Sequence, residues 1–146
     1  MAVKTYFISN EDETASLAQK IASELSGGEL IALDGDLGAG KTFFAGALCE
    51  SLNIKRGEVN SPTFVIMKKH LGKFSVYHWD FYRMCSEEEL HSADFFEYLK
   101  EKNSINIVEW ASKFKKSWES HLKKIEIKIT FGEQDSERRI EIKRSL

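Results

Sequence analysis

The sequence predicts a single α/β domain of three layers, with a mixed β-sheet between helices and a β-hairpin at its C-terminal end. Three observations predict it. Short apolar runs suited to buried strands occur at Leu30–Leu33 and Ile105–Val108. Apolar residues at helical spacing lie elsewhere, as at Leu17, Ala18, Ile21, Ala22 and Leu25. Strict alternation then closes the chain, with Ile125, Ile127 and Ile129 before the polar link Gly132 to Glu137, and Ile140 and Ile142 after it.

Each element follows in order. Thr5 to Ile8 read as a short strand. Ser9, Asn10, Glu11, Asp12 and Glu13 open a helix, with polar N-cap candidates and acidic residues in the first turn. Gly27 and Gly28 stop it. After the strand Leu30–Leu33, the segment Asp34 to Gly40 is loop chemistry, and Lys41 to Leu52 consists of good helix formers. Phe64 to Lys69 and Phe74 to His78 read as strands joined through His70-Leu71-Gly72-Lys73. Ser86 with Glu89 has the form of a capping box, opening one helix that runs to about Lys100. A helix over Ser112 to Leu122 follows the strand Ile105–Val108. No linker or repeat interrupts the pattern, so residues 1–146 form one domain, inside the usual span of about 100–200 residues.

Composition bounds the function. Hydrophobic residues are 42% and charged residues 30%, the profile of a globular protein able to bury its own core. The formal charge of −2 lacks the basic surplus of a free nucleic-acid binder. Cys49 and Cys85 stand far apart, with no spacing for zinc and no disulfide framework. The N-terminus lacks the apolar core of a signal peptide, and no apolar run approaches the roughly 18 residues of a membrane span. The expectation is a reduced, cytoplasmic protein.

Gly35-Asp36-Leu37-Gly38-Ala39-Gly40-Lys41-Thr42 matches the phosphate-binding loop G-x-x-x-x-G-K-[ST] without a gap, between a strand and a helix. Glycines let the backbone wrap so that successive N–H groups face the phosphates, and the helix start adds free N–H groups and a positive dipole end. Lys41 would bridge the β- and γ-phosphates, and the Thr42 hydroxyl would take a position on Mg²⁺. The expected cofactors are ATP and Mg²⁺, in a P-loop NTPase-like domain. Mg²⁺ also needs one or two carboxylates. Glu109, ending the run Ile105–Val108, and Asp80, following Tyr77-His78-Trp79, are the two candidates. Pro62, the only proline, stiffens Ser61-Pro62-Thr63-Phe64 before a strand. That segment is either a strand-entry turn whose hydroxyls cap backbone, or a switch-like loop whose Thr63 senses the γ-phosphate or Mg²⁺.

Taken together, Ser9 with Glu13-Thr14, the segment Leu33 to Thr42, Ser61-Pro62-Thr63-Phe64, Tyr77-His78-Trp79-Asp80-Phe81-Tyr82-Arg83 and Val108-Glu109-Trp110 resemble the TsaE (YjeE) family. This is the bacterial ATPase family of tRNA threonylcarbamoyladenosine synthesis. The resemblance implies ATP binding, weak intrinsic hydrolysis, and partnership with TsaB and TsaD, which carry the transfer itself; tRNA is reached only through that complex. It implies Thr42 and Glu109 as Mg²⁺ ligands, and Asp36, Leu37, Gly38, Ala39, Gly40 and Lys41 as the phosphate cradle. It further implies Asp80 near the γ-phosphate, Thr63 in the switch loop, and Thr14 and Trp110 as contacts to the nucleoside end. Trp79 and Phe81 stand where the family more often has Phe and Leu, and Phe43 where a second threonine is common.

Other residues carry plainer readings. His78 shares a strand face with Asp80 by period 2 and reads as a packing histidine. Arg83 reads as a carboxylate partner or, second, as an arginine finger in cis. Lys113, Lys115, Lys116, Lys123 and Lys124 read as a solvated face before they read as a contact to tRNA or an acidic partner. Two other functions use such a loop. A small nucleotide kinase would need an Arg-rich lid, and a GTP-dependent switch would need N-K-x-D; the sequence has neither.

Overall fold

The computed structural model describes residues 2–55 and 66–145. Seven strands, β1 Val3–Ile8, β2 Leu30–Gly35, β3 Met67–Leu71, β4 Ser75–Asp80, β5 Ser104–Glu109, β6 Lys124–Phe131 and β7 Arg138–Ser145, form one sheet in the order β1-β7-β6-β2-β5-β4-β3. The central strands β6, β2, β5 and β4 run parallel. The flanking strands β3, β7 and β1 are antiparallel to their neighbours, which makes the sheet mixed as expected.

The two faces of the sheet are covered differently. Helices α1 (Glu11–Glu24) and α2 (Lys41–Ser51) bury Leu17, Ile21, Phe44 and Leu48 against Ile31, Leu33, Ile105, Ile107 and the isoleucines of β6 and β7. On the opposite face an aromatic cluster around Trp79, Phe81, Phe95 and Trp118 packs over β2, β5 and β4, with Met67 of β3 against it. The alternation in β6 and β7 therefore buries Ile125, Ile127, Ile129, Ile140 and Ile142 on the helical side and leaves the charged residues between them toward water. The connection 132–137 closes with the Gly132 amide donating to the Glu137 carbonyl at 2.9 Å, in the link the sequence marked.

Asn10 caps α1 as the sequence suggested, its side chain accepting from the Glu13 amide at 3.0 Å. Two helical expectations are corrected. The helix predicted from Ser86 to Lys100 is two short helices, α3 Glu87–Ser92 and α4 Phe95–Leu99, broken at Asp94 with φ 61°. Leu90 and Phe95 are five residues apart, which on one continuous helix points them about 140° apart; the break lets both enter the same aromatic cluster. Phe95 meets Trp79 at 5.0 Å and Phe81 at 5.3 Å between ring centroids, both edge to face. The capping box does not form in the expected way, since Ser86 makes no side-chain cap bond and Glu89 accepts from the Cys85 amide at 3.3 Å.

The helix expected over Ser112 to Leu122 is a 3₁₀ segment, Ala111–Ser117, kinked at Phe114. Trp118 is buried there and donates its indole N–H to the Ala111 carbonyl at 2.8 Å. Among the described residues no helix is long and apolar enough to cross a membrane.

Candidate phosphate and metal site

The site assembles at the carboxyl ends of β2, β5 and β4, where open parallel sheets place their ligands. β2 ends in Gly35, and the chain turns through Asp36-Leu37-Gly38-Ala39 into α2, whose N-cap is Gly40 with φ 113°. The Ala39 amide donates to the Asp36 carbonyl at 3.0 Å, tightening the turn. Lys41 and Thr42 are the first two residues of α2, so their side chains start from the positive end of the helix.

Four polar side chains converge here with almost no exposure. Lys41 is 5% exposed, Asp80 3%, Glu109 2% and His78 0%. The parallel register pairs Asp80 at the end of β4 with Glu109 at the end of β5. Thr42 donates its hydroxyl to Glu109 Oε1 at 3.1 Å, while His78 Nε2 lies 2.6 Å from Glu109 Oε2. Lys41 donates Nζ to the Gly35 carbonyl at 2.6 Å and the Asp36 carbonyl at 2.9 Å, and its ammonium sits 4.1 Å from the centroid of the Trp110 ring. Asp80 Oδ1 accepts from the Tyr82 amide at 2.9 Å.

Burial sets the electrostatics. It pulls the Lys41 ammonium below the usual lysine range, against the opposing pull of Glu109, Asp34, Asp36 and Asp80. It pushes the Asp80 carboxyl above the usual carboxylate range; the Tyr82 amide opposes this, Glu109 adds to it, and His78 and Lys41 oppose it.

The residues fit Mg²⁺. Cis ligands at 2.0–2.1 Å in an octahedron lie about 2.9 Å apart, and the Thr42 and Glu109 oxygens are separated by 3.1 Å. Among the described residues no group of three or more His, Cys, Asp and Glu side chains could hold an ion alone.

Of the residues predicted from sequence, Lys41, Thr42, Asp80, Glu109 and Trp110 line one cavity of about 300 Å³, with Leu37, Gly38 and Gly40 on its rim. Thr14 lies elsewhere. It lines a second cavity of about 450 Å³ with Asn10, Ala39, Gly40, Phe43 and Arg138. The two cavities meet at Gly40 and Phe43. Thr14 and Trp110, paired in expectation as nucleoside contacts, thus line different cavities; Trp110 stands beside the lysine that would hold phosphate. Thr63, with the rest of Ser61-Pro62-Thr63-Phe64, lies outside the described residues.

Sequence reasoning gave two residues no place in the site. His78 reads from sequence as packing, and its shared face with Asp80 is the signal that points to the site. Arg138, at the start of β7, donates to the Ala39 carbonyl at 2.9 Å and stacks 4.7 Å from the Phe131 ring, and nothing local in the sequence announces this. Asp34 accepts from the Ser112 amide at 2.9 Å and ties the end of β2 to the 3₁₀ segment.

Comparison with known proteins bears on the family and the fold. Residues 8–140 match the family model described as TsaE, threonylcarbamoyl adenosine biosynthesis protein. A protein of that name from Rickettsia felis is 35% identical over 105 residues, which are 71% of this chain and 60% of the relative; the match thus spans under two thirds of that relative. Its Bacillus subtilis counterpart is 43% identical over 103 residues, 70% of this chain and 63% of the relative. The Rickettsia typhi protein is 32% identical over 123 residues, 84% of each chain. The crystal structure of Bacillus subtilis YdiB superposes with a TM-score of 0.77 at 27% identity, covering 99% of this chain and 87% of that one.

Proposed function

The chain belongs to the TsaE family of threonylcarbamoyl adenosine biosynthesis proteins, and from that premise we propose that it binds ATP with Mg²⁺ and hydrolyses it slowly. In this reading it is a cytoplasmic accessory subunit that acts with TsaB and TsaD in the threonylcarbamoyl modification of adenosine in tRNA. The transfer itself belongs to the partners, and tRNA is met through the complex.

One observation carries the reading. Lys41 and Thr42 at the start of α2 converge with Glu109 in a single buried cluster at the mouth of the phosphate loop. The backbone from Asp36 to Lys41 would supply N–H groups to the phosphates, and the Lys41 ammonium would offset their negative charge. Thr42 and Glu109 would hold Mg²⁺, which neutralises charge on the β- and γ-phosphate oxygens when bound. Asp80 lines the same cavity one strand away, and would serve as a contact to a metal-bound water or as the acid that orients an attacking one. The absence of N-K-x-D supports ATP over GTP. The second cavity, with Thr14, would take the nucleoside, since it shares Gly40 and Phe43 with the phosphate side.

The test is Mg²⁺-dependent ATP hydrolysis by the purified chain, alone and with TsaB and TsaD, with Lys41→Ala as control. The expected result is slow hydrolysis alone, stimulation by the pair, and loss in the variant. Fast hydrolysis indifferent to the pair would refute the partnership, and retained hydrolysis in Lys41→Ala would refute the site.

A further inference from the structure

Glu109 has two carboxylate oxygens, and each has its own partner. Oε1 receives the Thr42 hydroxyl at 3.1 Å; Oε2 lies 2.6 Å from His78 Nε2. The histidine comes from the neighbouring strand, two residues before Asp80, and reaches diagonally to a carboxylate at the end of β5. Its ring is completely buried, and Nδ1 has no hydrogen-bond partner among the described residues. The contact to Glu109 is therefore the one hydrogen bond of this ring among the described residues.

That arrangement makes little sense as a device for stability. Ionic and polar groups taken out of water lose more hydration than their mutual attraction returns unless every atom is satisfied, and apolar residues of similar size often do as well or better. Around His78 on the same sheet face stand Val76, Ile105 and Ile107, all fully buried, so an apolar side chain would continue the packing directly. A glutamate, by contrast, has three rotatable side-chain bonds. A donor fixed on Oε2 removes that freedom and leaves Oε1 turned toward the Thr42 hydroxyl.

We infer that His78 is a positioning residue for the metal site, orienting Glu109 from behind so that Oε1 faces the ion held with Thr42. This rests on the proposed nucleotide function and adds to it a residue that never touches nucleotide. Partners of this kind, behind a ligating carboxylate, typically change metal affinity by about 10- to 100-fold when removed.

The test measures binding, so it does not depend on turnover. A non-hydrolysable ATP analogue is titrated into the purified chain by calorimetry, over a range of Mg²⁺ concentrations and in EDTA, with thermal unfolding recorded for each variant. In His78→Leu the Mg²⁺ concentration giving half of the affinity gain should rise about 10- to 100-fold, while the affinity in EDTA stays that of the parent. His78→Gln, whose amide nitrogen can reach the Oε2 position, should recover most of the loss. His78→Asn, too short to reach, should behave like leucine and carries the test if His78→Leu fails to fold. Unchanged Mg²⁺ dependence in the leucine and asparagine variants overturns the inference while leaving the nucleotide site intact. An equal loss of affinity with and without Mg²⁺ overturns it as well, because that is the mark of a structural role. A parent chain that binds the analogue no better with Mg²⁺ than without it overturns both this inference and the function it rests on.

Discussion

Gly35→Ala should damage the fold itself, and far more than the same change at Gly38. Gly35 has φ 152°, and a Cβ built on it would lie 2.4 Å from the Ile129 carbonyl oxygen on the paired strand β6. Backbone cannot swing aside as a flexible side chain can, so β2 and β6 must separate where the sheet feeds the loop. Strain of about 1–3 kcal/mol for the backbone conformation adds to about 1–3 kcal/mol for overpacking, or roughly 2–6 kcal/mol in all. Gly38 has φ 81°, but its added Cβ would meet nothing closer than Phe131 Cζ at 3.9 Å, so only about 1–2 kcal/mol of left-handed strain applies. Urea unfolding of the nucleotide-free chain reads the difference. With a slope of about 2 kcal/mol per molar urea, Gly35→Ala should lower the midpoint by about 1–3 M, and Gly38→Ala by under about 1 M. Equal midpoints for the two variants would refute the reasoning, since it derives the whole difference from the β2–β6 approach.

Two further outcomes follow from burial. Asp80→Asn should stabilise the nucleotide-free protein at pH 7. Burial raises the Asp80 pKa in the folded state, so the ionised form costs stability at every pH above the ordinary carboxylate value of 3.8. Below 3.8 both states are protonated and the gain should vanish; a gain that persists or grows at pH 3 in thermal unfolding would contradict this. The thiols should separate cleanly. Cys49 is buried and pushed up to about 12, whereas Cys85 is exposed, so Ellman's reagent should count one fast thiol in the native chain and two in guanidinium. Two fast thiols in the native protein would show that α2 opens far more readily than its packing implies.

Much of the architecture was legible because it depends on local chemistry. The strand, glycine loop and helix from Leu30 to Ser51 carry their own punctuation, and so do the alternating strands β6 and β7 with their six-residue link. The elements misread were those shaped by distant partners. Asp94 breaks a helix because Leu90 and Phe95 must reach one aromatic cluster, and Trp118 shortens another by bonding back to Ala111. The cluster draws on residues far apart in the sequence, and a bond back over seven positions is not part of a helix's own hydrogen-bond pattern. The site divides the same way. Lys41 and Thr42 are adjacent in a recognisable loop, and Asp80 and Glu109 both end strands. The contact between His78 and Glu109 exists only through the pairing of β4 with β5, which alternation alone does not specify. Thr14 and Trp110 fall into separate cavities for the same reason: their separation is a fact of tertiary arrangement.

The loop lysine has a consequence for exchange at the site. Lys41 spends its donors on the carbonyls of Gly35 and Asp36 and rests its charge on the Trp110 ring. The buried ammonium is therefore already solvated by its own backbone. On the proposed function, a phosphate arriving there would substitute for these contacts, and on its departure the same carbonyls and ring would take the ammonium back. Net affinity would then be a difference between two well-solvated states of a single side chain, tempering how tightly product is held.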